Sequence, residues 1–326
     1  MKQRILCVKQ NDFENLTLQI FQYQANNNVI YKHFLDLLKI HPSDVVHVSD
    51  IPFLPIALFK QHAIKTGTWE AEIRFTSSGT TGQTPSTHHI RNLNFYLTAA
   101  RQGFEGFYGS VEEYCFLALL PSYLERSGSS LIAMVDAFIQ RSKYKESGFF
   151  LYDFDALAQQ LQSCIQANIP TVLIGVSFAL LDFAEQYPMD LSKVIIMETG
   201  GMKGKRKELI RKELHEQLGQ AFQQRSIHSE YGMTELLSQA YAMGGERFLP
   251  SSTMRILISD ITDPRSFLPD ERTGKINVID LANFDSCSFI ATEDLGKRWQ
   301  DGSFEILGRV DNSDLRGCNL MVEVLN

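Results

Sequence analysis

The chain has 326 residues, 44% hydrophobic and 21% charged, enough to bury a core in one large or two ordinary domains. A net charge of −7, with no stripe of Lys and Arg interleaved with aromatics, excludes a nucleic-acid footprint. No run of about eighteen apolar residues is present, and the opening MKQRILCVKQ lacks the apolar stretch of a signal peptide, so a cytoplasmic protein without a membrane span is expected. Five cysteines, at 7, 115, 164, 287 and 318, are odd in number and show no CxxC spacing. That points to reduced thiols rather than a disulfide framework or a zinc site.

In chain order, apolar residues recur at helical spacing from Phe13 to about Lys39, with Asn27 or Asn28 breaking the segment into two helices. The stretch FTSSGTTGQTPS, 75–86, then carries nine Ser, Thr or Gly residues in twelve positions and no charge. Glycines let consecutive N–H groups turn toward one concavity, and hydroxyls add donors, so such a loop suits an anion. By itself it fits a flexible linker equally, and Gly79 and Gly82 do not have Walker A spacing.

Short apolar runs, Glu113–Leu120, Thr171–Gly175 and Lys193–Met197, alternate with helical patterns around 131–139, 155–167 and 205–218. This predicts a mainly parallel sheet covered by helices. The basic run MKGKRKELIRK (202–212) reads as a solvated helix face. Past about Gly245 the predicted elements are short strands at 254–259, 274–281, 286–292 and 304–307. The expected organisation is an α/β body over 1–245, its first 50 residues a helical segment, followed by a smaller β-rich subdomain over 246–326.

Four motifs occur in a set order: FTSSGTTGQTP, HSEYGMTE (228–235), TEDLG (292–296) and GRVDNSDLRG (308–317). In that order they resemble the acyl-adenylate-forming superfamily of acyl-CoA ligases, adenylation domains and firefly luciferase. Within it, SDIPFLPIALFK (49–60), ETGGMKGKRKE (198–208) and a chain that stops shortly after LRGC resemble the acyl-protein synthetase of the bacterial luminescence fatty acid reductase complex. The resemblance implies the multi-layer α/β N-terminal domain of that superfamily with a smaller β-rich subdomain, without the mobile C-terminal domain.

It also implies ATP and Mg2+ as cofactors, an acyl carboxylate, here a fatty acid, as substrate, and a reductase-like or carrier protein as partner. Forming an acyl adenylate holds two anions together while charge builds up at phosphorus, so the site must supply donors and a cation. By resemblance, Ser77, Ser78, Gly79, Thr80, Thr81 and Gly82 cradle the triphosphate. Thr234 donates to the α-phosphate, Glu235 is the metal ligand, Tyr231 and Gly232 lie along the adenine, and Gly200 and Gly201 shape the loop beside it. Asp294 accepts from the ribose hydroxyls, with Arg309 near the same sugar.

Ser86 stands where the superfamily's loop lysine is usual. His88 and His89, just downstream, read either as a partial replacement for that charge or as a surface pair. Cys318 reads either as the acceptor of the activated acyl group, its thiol pKa lowered by Arg316 or Arg309, or as an inert cysteine in a short final strand. Phe116, Tyr123, Phe138 and Phe178 serve equally as acyl-pocket wall or core. Two other functions fit the same motifs: an acyl-CoA or carrier-protein ligase whose C-terminal domain comes from another chain, and an inactive nucleotide-binding scaffold.

Overall fold

The computed structural model describes residues 1–77, 84–121, 128–200 and 209–309. It opens with helices α1 (Lys2–Leu6), α2 (Phe13–Asn27) and α3 (Val29–Leu37). Asn28 separates the last two: its backbone is extended, and its side chain accepts the Tyr31 N–H at 3.0 Å, capping α3. Strand β1 (Leu54–Pro55), the hairpin β2 (Ile73–Thr76) and β3 (Thr87–Ile90), and helix α4 (Leu93–Tyr108) follow.

The expected alternation then runs β4 (Cys115–Leu119), α5 (Ser130–Arg141), β5 (Gly148–Phe149), α6 (Phe154–Gln166), β6 (Thr171–Val176), α7 (Ser177–Gln186), β7 (Val194–Thr199), α8 (Arg211–Phe222) and β8 (His228–Tyr231). Short strands complete the described chain: β9 (Ala240–Ala242), β10 (Leu249–Pro250), β11 (Met254–Ser259), β12 (Gly274–Asp280), β13 (Phe289–Arg298) and β14 (Phe304–Arg309).

Seven strands form one sheet in the order β10-β9-β8-β7-β6-β4-β5. From β5 to β8 neighbours run parallel, and β9 and β10 close the edge antiparallel. Strands β4 and β6 are buried along their whole length, which is why they read as unbroken apolar runs rather than alternating ones. The carboxyl ends of β6, β7 and β8 lead into Ser177, Gly200 and Gly232, the side on which open α/β sheets bind ligands.

The second sheet has the order β1-β13-β12-β11, with β14 also paired to β13. Strand β13 is longer than the sequence suggested and takes in the whole TEDLG motif. Its inward residues Thr292, Asp294 and Gly296 keep period two, so a buried carboxylate hides the strand from a hydrophobicity reading. Register slips between Leu295 and Gly296, where a Cβ on Gly296 would collide with the Glu305 carbonyl.

The N-terminal helices pack on this second sheet. Gln24 of α2, fully buried, donates to the carbonyls of Asn283 and Phe284 at 3.0 Å and accepts the Ser288 N–H at 2.9 Å. Asn28 donates to the Ser286 carbonyl at 2.8 Å, and Phe21 meets Phe289 edge-on at 5.9 Å. Among the described residues, no helix is long and apolar enough to cross a membrane.

Candidate functional site

The hairpin fixes both ends of the hydroxyl-rich loop. Ser77 N–H donates to the Ser86 carbonyl at 3.0 Å, and Ser86 N–H returns to Ser77 Oγ at 2.8 Å. The loop residues Ser78, Gly79, Thr80, Thr81 and Gly82 lie outside the described residues, as do Gly201, Tyr123 and Cys318. Ser86, in the place of a lysine, is 2% exposed, and its hydroxyl hydrogen-bonds the Glu235 carboxyl. Burial pushes that carboxyl up in pKa, while Ser86 and the fields of Arg309 and Lys60 pull it back.

His88 is neither a surface residue nor a loop cation. It is completely buried, and its Nδ1 lies 2.9 Å from the Thr234 carbonyl. Because a carbonyl only accepts, Nδ1 carries the proton, and Nε2 accepts from Ser286 Oγ at 3.1 Å. Phe59 packs edge-on against the ring at 5.6 Å. The hairpin therefore grips the turn that carries Thr234 and Glu235, and Asn283 holds the same turn from the other side, donating to the Glu235 carbonyl at 2.8 Å.

Burial lowers the His88 pKa to about 4, so the ring is neutral near pH 7. The folded state then binds fewer protons than the unfolded chain between pH 6.5 and 4, and stability should fall by about 3 kcal/mol as pH drops through that window. Urea unfolding of the protein and of His88→Asn, which keeps a donor toward Thr234, checks this: the difference between them should shrink on acidification. A difference constant from pH 7 to 4 would contradict it.

Tyr231, Asp294 and Arg309 lie together in the structure. Tyr231 ends β8 between Phe248 and Phe304, and its hydroxyl donates to Asp294 Oδ2 at 3.0 Å. Asp294 and Arg309 face each other across β13 and β14, with Arg309 Nε 3.7 Å from Asp294 Oδ1 and Nη2 3.5 Å from Glu293 Oε2. Burial raises the Asp294 pKa, against the pull of Arg309 and Tyr231. The exposed Arg309 side chain thus caps a nearly buried carboxylate at the edge of the cleft.

Gly200 has φ +65°, a conformation that favours glycine, and its carbonyl accepts from Ser177 Oγ at 2.6 Å. Ser177 also donates to Glu198 at 3.1 Å. Burial would raise the Glu198 pKa, but His215, Arg211 and Ser229 outweigh it and leave the carboxyl below its ordinary value. Gly232 is exposed, and a Cβ there would lie 2.5 Å from Glu230 Oε1, so the Glu230 carboxyl reaches the cleft beside it.

Sequence reasoning misread His88 and assigned no role to Ser177, Glu198 and Glu230, whose partners lie far along the chain. The motif SDIPFLPIALFK divides: most of it lines a cavity of about 850 Å³ between α3 and the second sheet, while its end brings Phe59 to His88 and Lys60 into the field of Glu235. Phe116, Phe138 and Phe178 are all buried, the first two packed against Phe104 in the core, one edge-on and one tilted.

No family model matches the chain, and no curated protein matches it. Solved structures do. 2-Hydroxyisobutyryl-CoA ligase, in complex with 2-HIB-AMP and CoA, superposes with a TM-score of 0.69 at 13% identity over 95% of this chain and 71% of that one. ATP-bound MatB from Rhodopseudomonas palustris superposes with a TM-score of 0.55 at 17% identity over 72% of this chain. The chain spans about half the length of MatB, 47% of it. It therefore has the fold of the N-terminal domain of the acyl-adenylate-forming ligases.

Proposed function

We propose that the protein activates a carboxylic acid with ATP. The acid's carboxylate oxygen attacks the α-phosphorus, the bond to the bridging oxygen breaks, and acyl-AMP and pyrophosphate result. One juxtaposition supports this reading most: the hydroxyl-loop hairpin, the Thr234–Glu235 turn and the Tyr231–Asp294–Arg309 cluster meet at the carboxyl ends of β7 and β8.

Asp294 is suited to accept from ribose hydroxyls, its Oδ2 already held by Tyr231, and Thr234 stands on a turn fixed by His88. Gly200 and Gly232 leave room for the flat base, and by its composition the hydroxyl-rich loop that follows Ser77 suits the phosphates, as Gly201 suits the base. Lys60 and Arg309 bring positive field where Ser86 replaces a lysine. No group of three or more His, Cys, Asp or Glu residues among the described ones can hold a metal. One buried carboxylate, Glu235, suits Mg2+, which keeps several waters and takes phosphate oxygens for the rest. When bound, the ion neutralises charge on the phosphates. Asp294→Ala is expected to raise the KM for ATP about tenfold, with a smaller change in the KM for the acid; equal KM values for ATP in variant and parent would remove the ribose role.

The acyl group then passes to a thiol. In the acyl-protein synthetase reading it is a fatty acyl group, the acceptor is Cys318 or a reductase-like or carrier partner, and the reaction takes place in the cytoplasm. Of the other four cysteines, Cys115, Cys164 and Cys287 are buried and Cys7 is exposed. With labelled acid and ATP, the protein should accumulate label released by neutral hydroxylamine, and Cys318→Ser should lose it while keeping pyrophosphate exchange. Label retained in the variant would move the acceptor to Cys7. Acyl-CoA formed on adding CoA would favour the ligase alternative, and the absence of exchange with every acid tried would leave only the scaffold.

A further inference from the structure

Buried polar atoms in folded proteins almost always have partners, so orphans that cluster call for one, an ordered water or a ligand. Among the described residues, five buried side-chain oxygens have none, and three of them stand together at one edge of the first sheet: Gln239 Oε1, Tyr241 OH and Ser251 Oγ. Gln239 and Ser251 are each 4% exposed and Tyr241 1%.

The strand register explains why they meet. Tyr241 on β9 pairs directly with Glu230 on β8, so both project from the same face, beneath α4. Ser251 N–H donates to the Gln239 carbonyl at 3.0 Å. Gly103 of α4 sits over the pair: from the position its Cβ would take, Ser251 Oγ is 3.8 Å away and Gln239 Oε1 3.9 Å. The Gln239 amide nitrogen faces the Leu237 carbonyl at 3.5 Å, which leaves its oxygen toward the cluster.

Glu230 belongs to the same group. Thr199 donates to its Oε2, whereas Oε1 points at exposed Gly232, from whose Cβ position Gln239 Cγ is 3.6 Å away. The cluster therefore opens on the cleft at Gly232, two residues before Thr234, a separation of at most about 7 Å along the chain. Glu230 Oε1 and the orphan Gln239 Oε1 can accept; the Tyr241 and Ser251 hydroxyls can do either. A saturated hydrocarbon chain offers them nothing.

We infer that this cluster is a wall of the acid-binding pocket, and that the acid carries a hydrogen-bond donor, a hydroxyl or an ammonium group, close to its carboxyl. The inference rests on the adenylation reading. It narrows the substrate class from fatty acids in general to hydroxy or amino acids, including fatty acids hydroxylated near the carboxyl.

The test is carboxylate-dependent ATP–pyrophosphate exchange with matched sets: butyrate, 3-hydroxybutyrate and 3-aminobutyrate, and decanoate with 3-hydroxydecanoate. A donor-bearing acid should exceed its parent acid in kcat/KM by at least about thirtyfold, because a site built for a donor is left unpaired by the analogue without it. Gln239→Leu should shrink that gap about tenfold or more through the donor-bearing acid alone. Ser251→Ala, which removes a hydroxyl and opens little space, should shrink it if Gln239→Leu does not fold. Glu230→Gln separates the two donors, weakening an amino acid more than a hydroxy acid. Equal use of decanoate and 3-hydroxydecanoate, or a gap unchanged in both variants, overturns the inference and leaves adenylation standing. If no acid supports exchange, adenylation itself fails, and calorimetric titration of the same acids without ATP decides this point: saturable binding of a donor-bearing acid that Ser251→Ala weakens supports it, and no binding overturns it.

Discussion

Glu235→Gln should lower acid-dependent ATP–pyrophosphate exchange by about a hundredfold or more, equivalent to a few kcal/mol of transition-state stabilisation. The substitution removes the one carboxylate of the Thr234–Glu235 turn that faces the loop hairpin, while the Asn283 bond to the Glu235 backbone carbonyl is untouched. Burial already raises the pKa of this carboxyl, so the neutral amide costs the fold little. The melting temperature should therefore stay close to that of the parent protein. Full activity of the variant at limiting Mg2+ would take Glu235 out of the metal site.

Asp280→Ala should act in the opposite manner, on the fold rather than the chemistry. Asp280 ends β12 with no exposure and accepts four hydrogen bonds: from Leu237 N–H at 2.7 Å, Ser238 N–H at 3.0 Å, Ser238 Oγ at 2.6 Å and Ala282 N–H at 3.0 Å. These bonds tie the chain just after Glu235 to the second sheet. Removing the acceptor leaves three backbone donors buried without partners, while the Ser238 hydroxyl keeps Thr253 Oγ1 at 2.6 Å, and this should cost about 3–5 kcal/mol. Urea unfolding should show a lower midpoint with an unchanged slope. A loss under about 1 kcal/mol would mean that water reaches these groups, and the knot would not be what fixes the turn.

Much of this architecture was legible because it is local. The apolar runs at β4, β6 and β7 are uninterrupted because helices cover both faces of that sheet, and Asn28 broke the first helix by a capping bond within three residues. What stayed hidden depends on contacts far apart in sequence. Nothing around Gln24 announces that it bonds to residues 283–288, so the placement of the N-terminal helices on the C-terminal sheet had no local sign.

The site shows the same division. Tyr231, Asp294 and Arg309 were singled out by motif, and the structure brings them within hydrogen-bond or ion-pair reach of one another. His88 was misread because alternation in a four-residue strand does not tell which face is buried; the Thr234 carbonyl 146 residues away decides it. Ser86 was read only as a missing lysine. Its burial against Glu235 gives it a positive role, as the contact between the loop hairpin and the carboxylate.

Adenylation is tested most directly by incubating the purified protein with ATP, Mg2+, labelled pyrophosphate and a panel of carboxylic acids. Label should enter ATP, and only when both an acid and Mg2+ are present, because return of pyrophosphate to the α-phosphorus requires the acyl adenylate to have formed. Label entering ATP without any acid, or none entering ATP with any acid while the protein remains folded and binds ATP, would contradict it.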